Sequence, residues 1–199
     1  MHDDLSNDLK TLPNLLSISR VFLIPFMIVL FEVIRYTARS HTVRLEWLSF
    51  LAAVVFGIGG LTDFFDGYFA RKYRGITNLG KLLDPIADKL LIATTMIMLV
   101  SINRLHAWIV VLIIGREIAV TGLRAVSASG GLIIPASLEG KYKTNFQIAA
   151  VVGLLIHYTH FGVDFQRVGM LFIWIALFVT MWSGANYFVN FSKTLKTEV

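Results

Sequence analysis

The chain contains no cysteine, which rules out disulfides, thiol catalysis and cysteine-ligated zinc. Charge is also scarce. Asp, Glu, Lys and Arg make up 16% of the 199 residues, against about 25% in a soluble domain. There are no repeats and no low-complexity tracts. Gly59-Gly60 and Gly130-Gly131 lack the spacing of a dinucleotide fingerprint and read as helix packing or turns. No cleavable signal peptide is expected, because the first apolar run, from near Leu12, is long enough to stay in a membrane.

What the chain has in excess is apolar surface. Hydrophobic residues make up 56% of it, where a soluble domain has about 45–50%. A bilayer is the natural place for that excess. The length suits one compact bundle, so residues 1–199 read as a single transmembrane domain. The formal charge of +5 reads as Lys and Arg in cytoplasmic loops, and no nucleic-acid partner is expected.

Two uncharged runs, Thr144–Val163 and Val168–Ser192, are each long enough to span. Four further runs carry charges: Leu15–Ile34, with Pro25 as a kink, Trp47–Ala70, Leu83–Ile102 and Ala107–Ala125. The expected fold is therefore all-α, a polytopic membrane protein of six transmembrane helices. The N-terminal dozen residues, with Leu5, Leu9 and Leu12, could add a short interfacial helix. Six spans put both termini on one side. With that side cytoplasmic, Arg35, Arg39, Arg44, Arg104 and Arg167 fall outside, and the other 13 of the 18 Lys and Arg fall in or near cytoplasmic segments.

Charges enter the second, third and fourth helices and spare the last two. Asp63, Asp66, Gly67, Ala70 and Arg71 share one side of the second helix at about 100° per residue. Asp84 and Asp88 are i,i+4 neighbours on the third, where Pro85 suits a first turn. The short link Lys72–Leu82 makes these helices antiparallel neighbours, so four carboxylates can meet at the cytoplasmic boundary. Each would be costly unpaired, by about 2.5–3.5 kcal/mol at a helix centre and less near the interface. Divalent cations offset both that cost and the mutual repulsion. Oxygen ligands without cysteine point to Mg²⁺ or Mn²⁺, and four carboxylates suit two ions. Gly67 and Ala70 leave a surface without bulk where a nucleotide or pyrophosphate could approach. Arg71 is placed to pair with a phosphate or a carboxylate. Solvated helix-end charges are the plainer reading, adequate for one such aspartate and strained for four.

The stretch Asp63 to Asp88 fits D-x2-D-G-x2-A-R-x8-G-x3-D-x3-D at every fixed position. It resembles the signature of the CDP-alcohol phosphatidyltransferase family. The similarity extends to Leu12–Arg20, Gly115-Arg116-Glu117, Gly122-Leu123-Arg124 and Gly140-Lys141-Tyr142-Lys143-Thr144, which look like bacterial members whose acceptor is glycerol 3-phosphate. The resemblance covers roughly Leu12 to Val151. It implies that Asp63, Asp66 and Asp84 are metal ligands, that Asp88 is both ligand and general base, and that Gly67, Ala70, Arg71 and Gly80 belong to the CDP site. It also implies a six-helix homodimer among membrane lipids, with CDP-diacylglycerol as phosphatidyl donor and glycerol 3-phosphate as acceptor. The setting would be phospholipid synthesis at a bacterial inner membrane, with the site facing the cytoplasm.

Arg116, Arg124, Lys141 and Lys143, with Arg20 beside them, are the basic groups available for the acceptor's phosphate. Each has a structural alternative. Glu117 lies in register with Arg124 at i+7, so an ion pair is open to it, and lysines at a helix end also anchor to lipid phosphates. His157 and His160 read as interfacial packing rather than metal ligands. Trp108, Trp174, Trp182 and the tyrosines fit membrane-boundary or lipid-facing roles. Rival readings are an ion or proton transporter, the same chemistry with serine, inositol phosphate or phosphatidylglycerol as acceptor, and a non-catalytic scaffold.

Overall fold

A computed structural model describes residues 12–38, 42–73, 78–129 and 139–197. Six helices follow one another: α1 (Leu12–Thr37), α2 (Thr42–Tyr73), α3 (Asn78–Ser101), α4 (Ala107–Ser129), α5 (Glu139–Ile156) and α6 (Phe165–Thr197). Two short strands, β1 (Thr159–His160) and β2 (Val163–Asp164), pair antiparallel and close the turn between α5 and α6. The fold is thus almost wholly helical. The interfacial helix expected near the N-terminus falls mostly outside the described residues.

The structure corrects two boundaries. The uncharged run Thr144–Val163 is not one helix, because α5 stops at Ile156. His157 there takes φ 63°. Its N–H donates to the Gly153 carbonyl at 3.0 Å, and Tyr158 N–H donates to the Ile156 carbonyl at 2.7 Å, a γ-turn that ends the helix. Phe161 and Gly162, at φ 52° and 77°, then turn the strand pair. Pro85 lies two turns inside α3, not in its first turn, because the helix already starts at Asn78. Pro25 lies inside α1, as expected.

Among the described residues one segment, Phe165–Val189, is long and apolar enough to cross a bilayer by length and composition alone. Lys89–Ser101 and Lys143–Ile156 are shorter apolar helices.

α5 is the central helix. It packs most extensively on α6 and also touches α2 and α3, and among the described residues it presents no large exposed apolar side chain. The outer helices do: Phe22, Val111, Ile118 and Phe178 are 71%, 68%, 68% and 70% exposed. α1 packs along both α2 and α3. At Gly59 the three helices converge, and a Cβ there would lie 2.8 Å from Leu91 Cδ2 and 3.2 Å from Leu23 Cδ1. The core includes Phe31, Phe56, Met96, Leu99, Leu154 and Ile173. α5 and α6 touch backbone to backbone where Gly153 meets Gly169. A Cβ on Gly153 would lie 2.8 Å from Gly169 Cα and 3.0 Å from its nitrogen.

One end of the bundle is tied by Arg104. Asn103, at φ 59°, ends α3, with Arg104 N–H donating to the Leu99 carbonyl at 2.9 Å and Asn103 N–H to the Val100 carbonyl at 3.0 Å. These are the paired bonds of a Schellman motif. The Arg104 side chain, 6% exposed, then reaches the end of α5. Its Nη1 donates to the Leu155 carbonyl at 2.8 Å and its Nη2 to Ser49 Oγ of α2 at 2.7 Å. The guanidinium lies 5.6 Å from the Tyr158 ring centroid. A cation here satisfies open helix carbonyls and complements the negative end of the helix dipole. Gln166 completes the arrangement. Its Nε2 donates to the Arg104 carbonyl at 3.2 Å, leaving Oε1 to accept from His157 Nδ1 at 2.8 Å.

Candidate active site

The signature residues occupy the end of one helix and the start of the next. Asp63, Asp66, Gly67, Ala70 and Arg71 fall in the last three turns of α2. Gly80, Asp84 and Asp88 fall in the first three turns of α3. The side chains of all four aspartates and of Arg71 lie outside the described residues, as does that of Lys141 in the first turn of α5. Among the described residues there is no group of three or more His, Asp or Glu able to hold a metal ion.

A cavity of about 980 Å³, lined from Lys89 onward, lies between α3, α4, α5 and α6. Its polar wall is formed by Lys89, Arg116, Glu117, Arg124, Lys143 and Ser183; Ile92, Met96 and Ile113 supply part of the apolar remainder. On α4, Glu117, Thr121 and Arg124 stand at i, i+4 and i+7 and so share a face. Three of the five basic residues singled out in the sequence, Arg116, Arg124 and Lys143, therefore line one space. Arg20 is fully buried on α1 and does not belong to this lining.

The cations are tied to one carboxylate. Glu117 Oε1 accepts from Arg116 Nη1 at 3.2 Å and also from Lys143 Nζ, while Oε2 lies 3.9 Å from Lys89 Nζ. Lys89 Nζ donates to Thr121 Oγ1 at 3.1 Å. Arg116 Nη2 donates to Ser183 Oγ at 2.8 Å. Gly184 beside it leaves space for that arginine, since a Cβ there would lie 3.0 Å from Arg116 Cγ and Nε. The sequence register left a Glu117–Arg124 pair open. The structure turns Glu117 toward Arg116, Lys143 and Lys89 instead, and Arg124 lies 5.8 Å from the centroid of the Tyr187 ring.

Among the described lining residues, four cations against one carboxylate leave a formal surplus of three positive charges. Arg116 and Lys143 are mostly enclosed, with side chains 10% and 11% exposed, whereas Lys89 is half exposed. Three buried polar atoms of lining residues, Arg116 Nε, Gln147 Nε2 and Tyr187 Oη, have no hydrogen-bond partner among the described residues. Buried polar groups are normally paired, so this wall has hydrogen-bonding capacity left for an occupant. Chemically, such a wall suits a compact, multiply charged anion.

Lys89, Gln147, Ser183 and Tyr187 were not anticipated. Lys89 could have been found as the residue following Asp88 in the signature. Ser183 and Tyr187 sit in an uncharged apolar helix and carry no local signal.

The sequence matches the family model described as CDP-alcohol phosphatidyltransferase over residues 10–182. The chain belongs to that family of enzymes. Among curated proteins it is 42% identical over 191 residues to CDP-diacylglycerol–glycerol-3-phosphate 3-phosphatidyltransferase of Bacillus subtilis (strain 168), covering 94% of this chain and 98% of the relative. It is 39% identical over 181 residues to the protein of the same name from Rickettsia typhi (strain ATCC VR-144 / Wilmington), covering 90% and 96%. The Haemophilus influenzae protein of that name is 33% identical over 181 residues, covering 88% and 90%.

Proposed function

We propose that this chain transfers the phosphatidyl group of CDP-diacylglycerol to glycerol 3-phosphate, giving phosphatidylglycerophosphate and CMP in phospholipid synthesis. The acceptor's hydroxyl oxygen forms a bond to the phosphorus that carries diacylglycerol. The bond from that phosphorus to the bridging oxygen breaks, and CMP leaves with that oxygen. The hydroxyl proton passes to a base, for which the family pattern nominates Asp88.

The observation that carries the acceptor assignment is the cavity beginning at Lys89, with its surplus of cations from α3, α4 and α5. Glycerol 3-phosphate bears a dianionic phosphate remote from its attacking hydroxyl, and alignment of nucleophile and leaving group is most of the catalytic task in phosphoryl transfer. Arg116, Arg124 and Lys143 would hold that phosphate, with Lys141 and Arg20 as outlying candidates. The names of the relatives agree with this acceptor.

Asp63, Asp66, Asp84 and Asp88 would hold two Mg²⁺ or Mn²⁺ ions. Their carboxylate oxygens are the donor set such cations prefer, and their helices are joined by a short link. The bound ions would neutralise charge developing on the leaving CMP. Gly67, Ala70, Arg71 and Gly80 would border the cytidine diphosphate.

The apolar residues exposed around the outer helices support a bilayer setting. In that setting α1 to α6 are the six spans, in a bacterial inner membrane with the active site on the cytoplasmic side. Surrounding lipids and a second copy of the chain would be the neighbours.

The test is CMP release by purified protein with CDP-diacylglycerol and one acceptor at a time. Activity confined to glycerol 3-phosphate is the expected result. Robust turnover with serine, inositol phosphate or phosphatidylglycerol instead would overturn the acceptor while keeping the chemistry. No CMP with any acceptor would remove the transferase reading and return ion transport to consideration.

A further inference from the structure

Glu117 has no place in the chemistry described so far, yet it is the hub of the cavity wall. Its carboxylate takes a hydrogen bond from Arg116 of its own helix and another from Lys143 of α5, and it lies 3.9 Å from Lys89 of α3. The three cations come from three helices and converge on two oxygen atoms. Without that carboxylate they would face one another across a largely apolar cavity, where like charges repel more strongly than in water. Arg116 would keep its bond to Ser183 and Lys89 its bond to Thr121. Among the described contacts, Lys143 has no polar partner other than Glu117, and it is the most dependent of the three.

We infer that Glu117 is a positioning residue for acceptor binding, its carboxylate holding Lys143 and Arg116 in the arrangement that receives the acceptor's phosphate. The inference rests on the acceptor reading given above. Glu117 does not touch the reacting atoms. It is 22% exposed, more than Arg116 at 10% and Lys143 at 11% and less than Lys89 at 51%, so it sits among the cations it holds. Donors not taken by Glu117, Ser183 or Thr121 are left for the incoming anion. An ammonium has three donors, and one bond to Glu117 leaves two for phosphate. A carboxylate is therefore tolerated in an anion site because it organises more positive charge than it cancels.

The experiment compares wild type with Glu117→Gln, Glu117→Asp, Lys143→Ala and the double variant Glu117→Gln/Lys143→Ala. KM for glycerol 3-phosphate, KM for CDP-diacylglycerol and kcat are measured for each. Losing a hydrogen bond to a charged group costs on the order of 10–100-fold. Glu117→Gln should raise KM for glycerol 3-phosphate by about tenfold or more, with KM for CDP-diacylglycerol within about twofold. Glu117→Asp should recover part of the loss. In the Lys143→Ala background, Glu117→Gln should cost much less than it does alone, because the group it positions is gone.

A fall in KM on Glu117→Gln would overturn the inference, because the carboxylate would then be competing with the phosphate. Equal losses for both substrates, or full additivity with Lys143→Ala, would reduce Glu117 to a structural ion pair. If Lys143→Ala raises KM for glycerol 3-phosphate and Glu117→Gln does not, the positioning role fails and the acceptor site stands. If neither variant changes it, the acceptor site itself is misplaced.

Discussion

Gly153→Ala is a sharp test of the packing, because two effects of opposite sign meet at one methyl group. Alanine favours a helix over glycine by about 1 kcal/mol, so an unobstructed site would gain stability. At Gly153 the new Cβ would lie 2.8 Å from Gly169 Cα, 3.0 Å from Gly169 N and 3.3 Å from the Phe165 carbonyl oxygen. All three neighbours are backbone, so no side chain can rotate away, and α6 must move off α5. Overpacking of this kind costs about 1–3 kcal/mol. Steric cost opposes and outweighs propensity, and the net loss should be up to about 2 kcal/mol. For a chain of this size that is a Tm lower by up to about 8 °C, read by thermal unfolding of the detergent-solubilised protein. Gly57→Ala is the matched control, with nothing within 4 Å of its added Cβ, and it should be neutral or stabilising by up to about 1 kcal/mol. If Gly153→Ala melted at or above the Gly57→Ala variant, the close crossing of α5 and α6 would be wrong.

Asp66→Asn and Asp84→Asn should each abolish turnover while the protein still inserts and folds, as an amide keeps the shape and loses the charge; retention of more than a few per cent of activity at saturating Mg²⁺ would refute the metal assignment. Arg124→Ala and Lys143→Ala should each raise KM for glycerol 3-phosphate at least tenfold, in line with the loss of a charge-assisted hydrogen bond, with little change for CDP-diacylglycerol. Burial first, and then the charge of Arg104, lower the pKa of His157, against smaller opposing effects of Gln166 and Asp164. The folded state therefore prefers neutral His157, whose contribution to stability is complete above the unfolded value of about 6.5 and is lost as pH falls below it. Melting curves between about pH 7.5 and pH 5 should show an acid-side loss in wild type that is smaller in His157→Gln; an equal loss in both would exclude this histidine as its source.

Much of this architecture was legible in the sequence, and what was missed has identifiable causes. The existence of six helices follows from apolar runs separated by charge. The run Thr144–Val163 misled because it holds no charge or proline to mark its break. The stop at Ile156 is made by backbone, with His157 in a left-handed conformation that apolarity does not encode; Asn103 at the end of α3 and Phe161 between the strands are of the same kind. The Asp63–Asp88 pattern is readable as a motif whose members helical periodicity alone would gather on shared faces; the side chains of its aspartates lie outside the described residues. The basic cavity was half readable. Arg116, Arg124 and Lys143 announce themselves as charges in apolar surroundings, but Ser183 and Glu117 acquire meaning only from neighbours 67 and 26 residues away. Arg104 looked like an ordinary outer-loop cation, and only the fold reveals it as a buried helix cap.

That cap has a mechanical corollary. All four helices lining the cavity have their opposite ends close to Arg104. α3 ends and α4 begins at its loop, α5 ends at the carbonyl it caps, and α6 begins at Gln166, which holds its backbone oxygen. From Arg104 to Lys89 is fifteen residues, a lever of about 22 Å at 1.5 Å per residue. A tilt of about 5° at that end would move a helix tip by about 2 Å, enough to separate Glu117 from Lys143 and Lys89 on the neighbouring helices. The spacing of the cavity wall thus depends on ties made a helix length away from it.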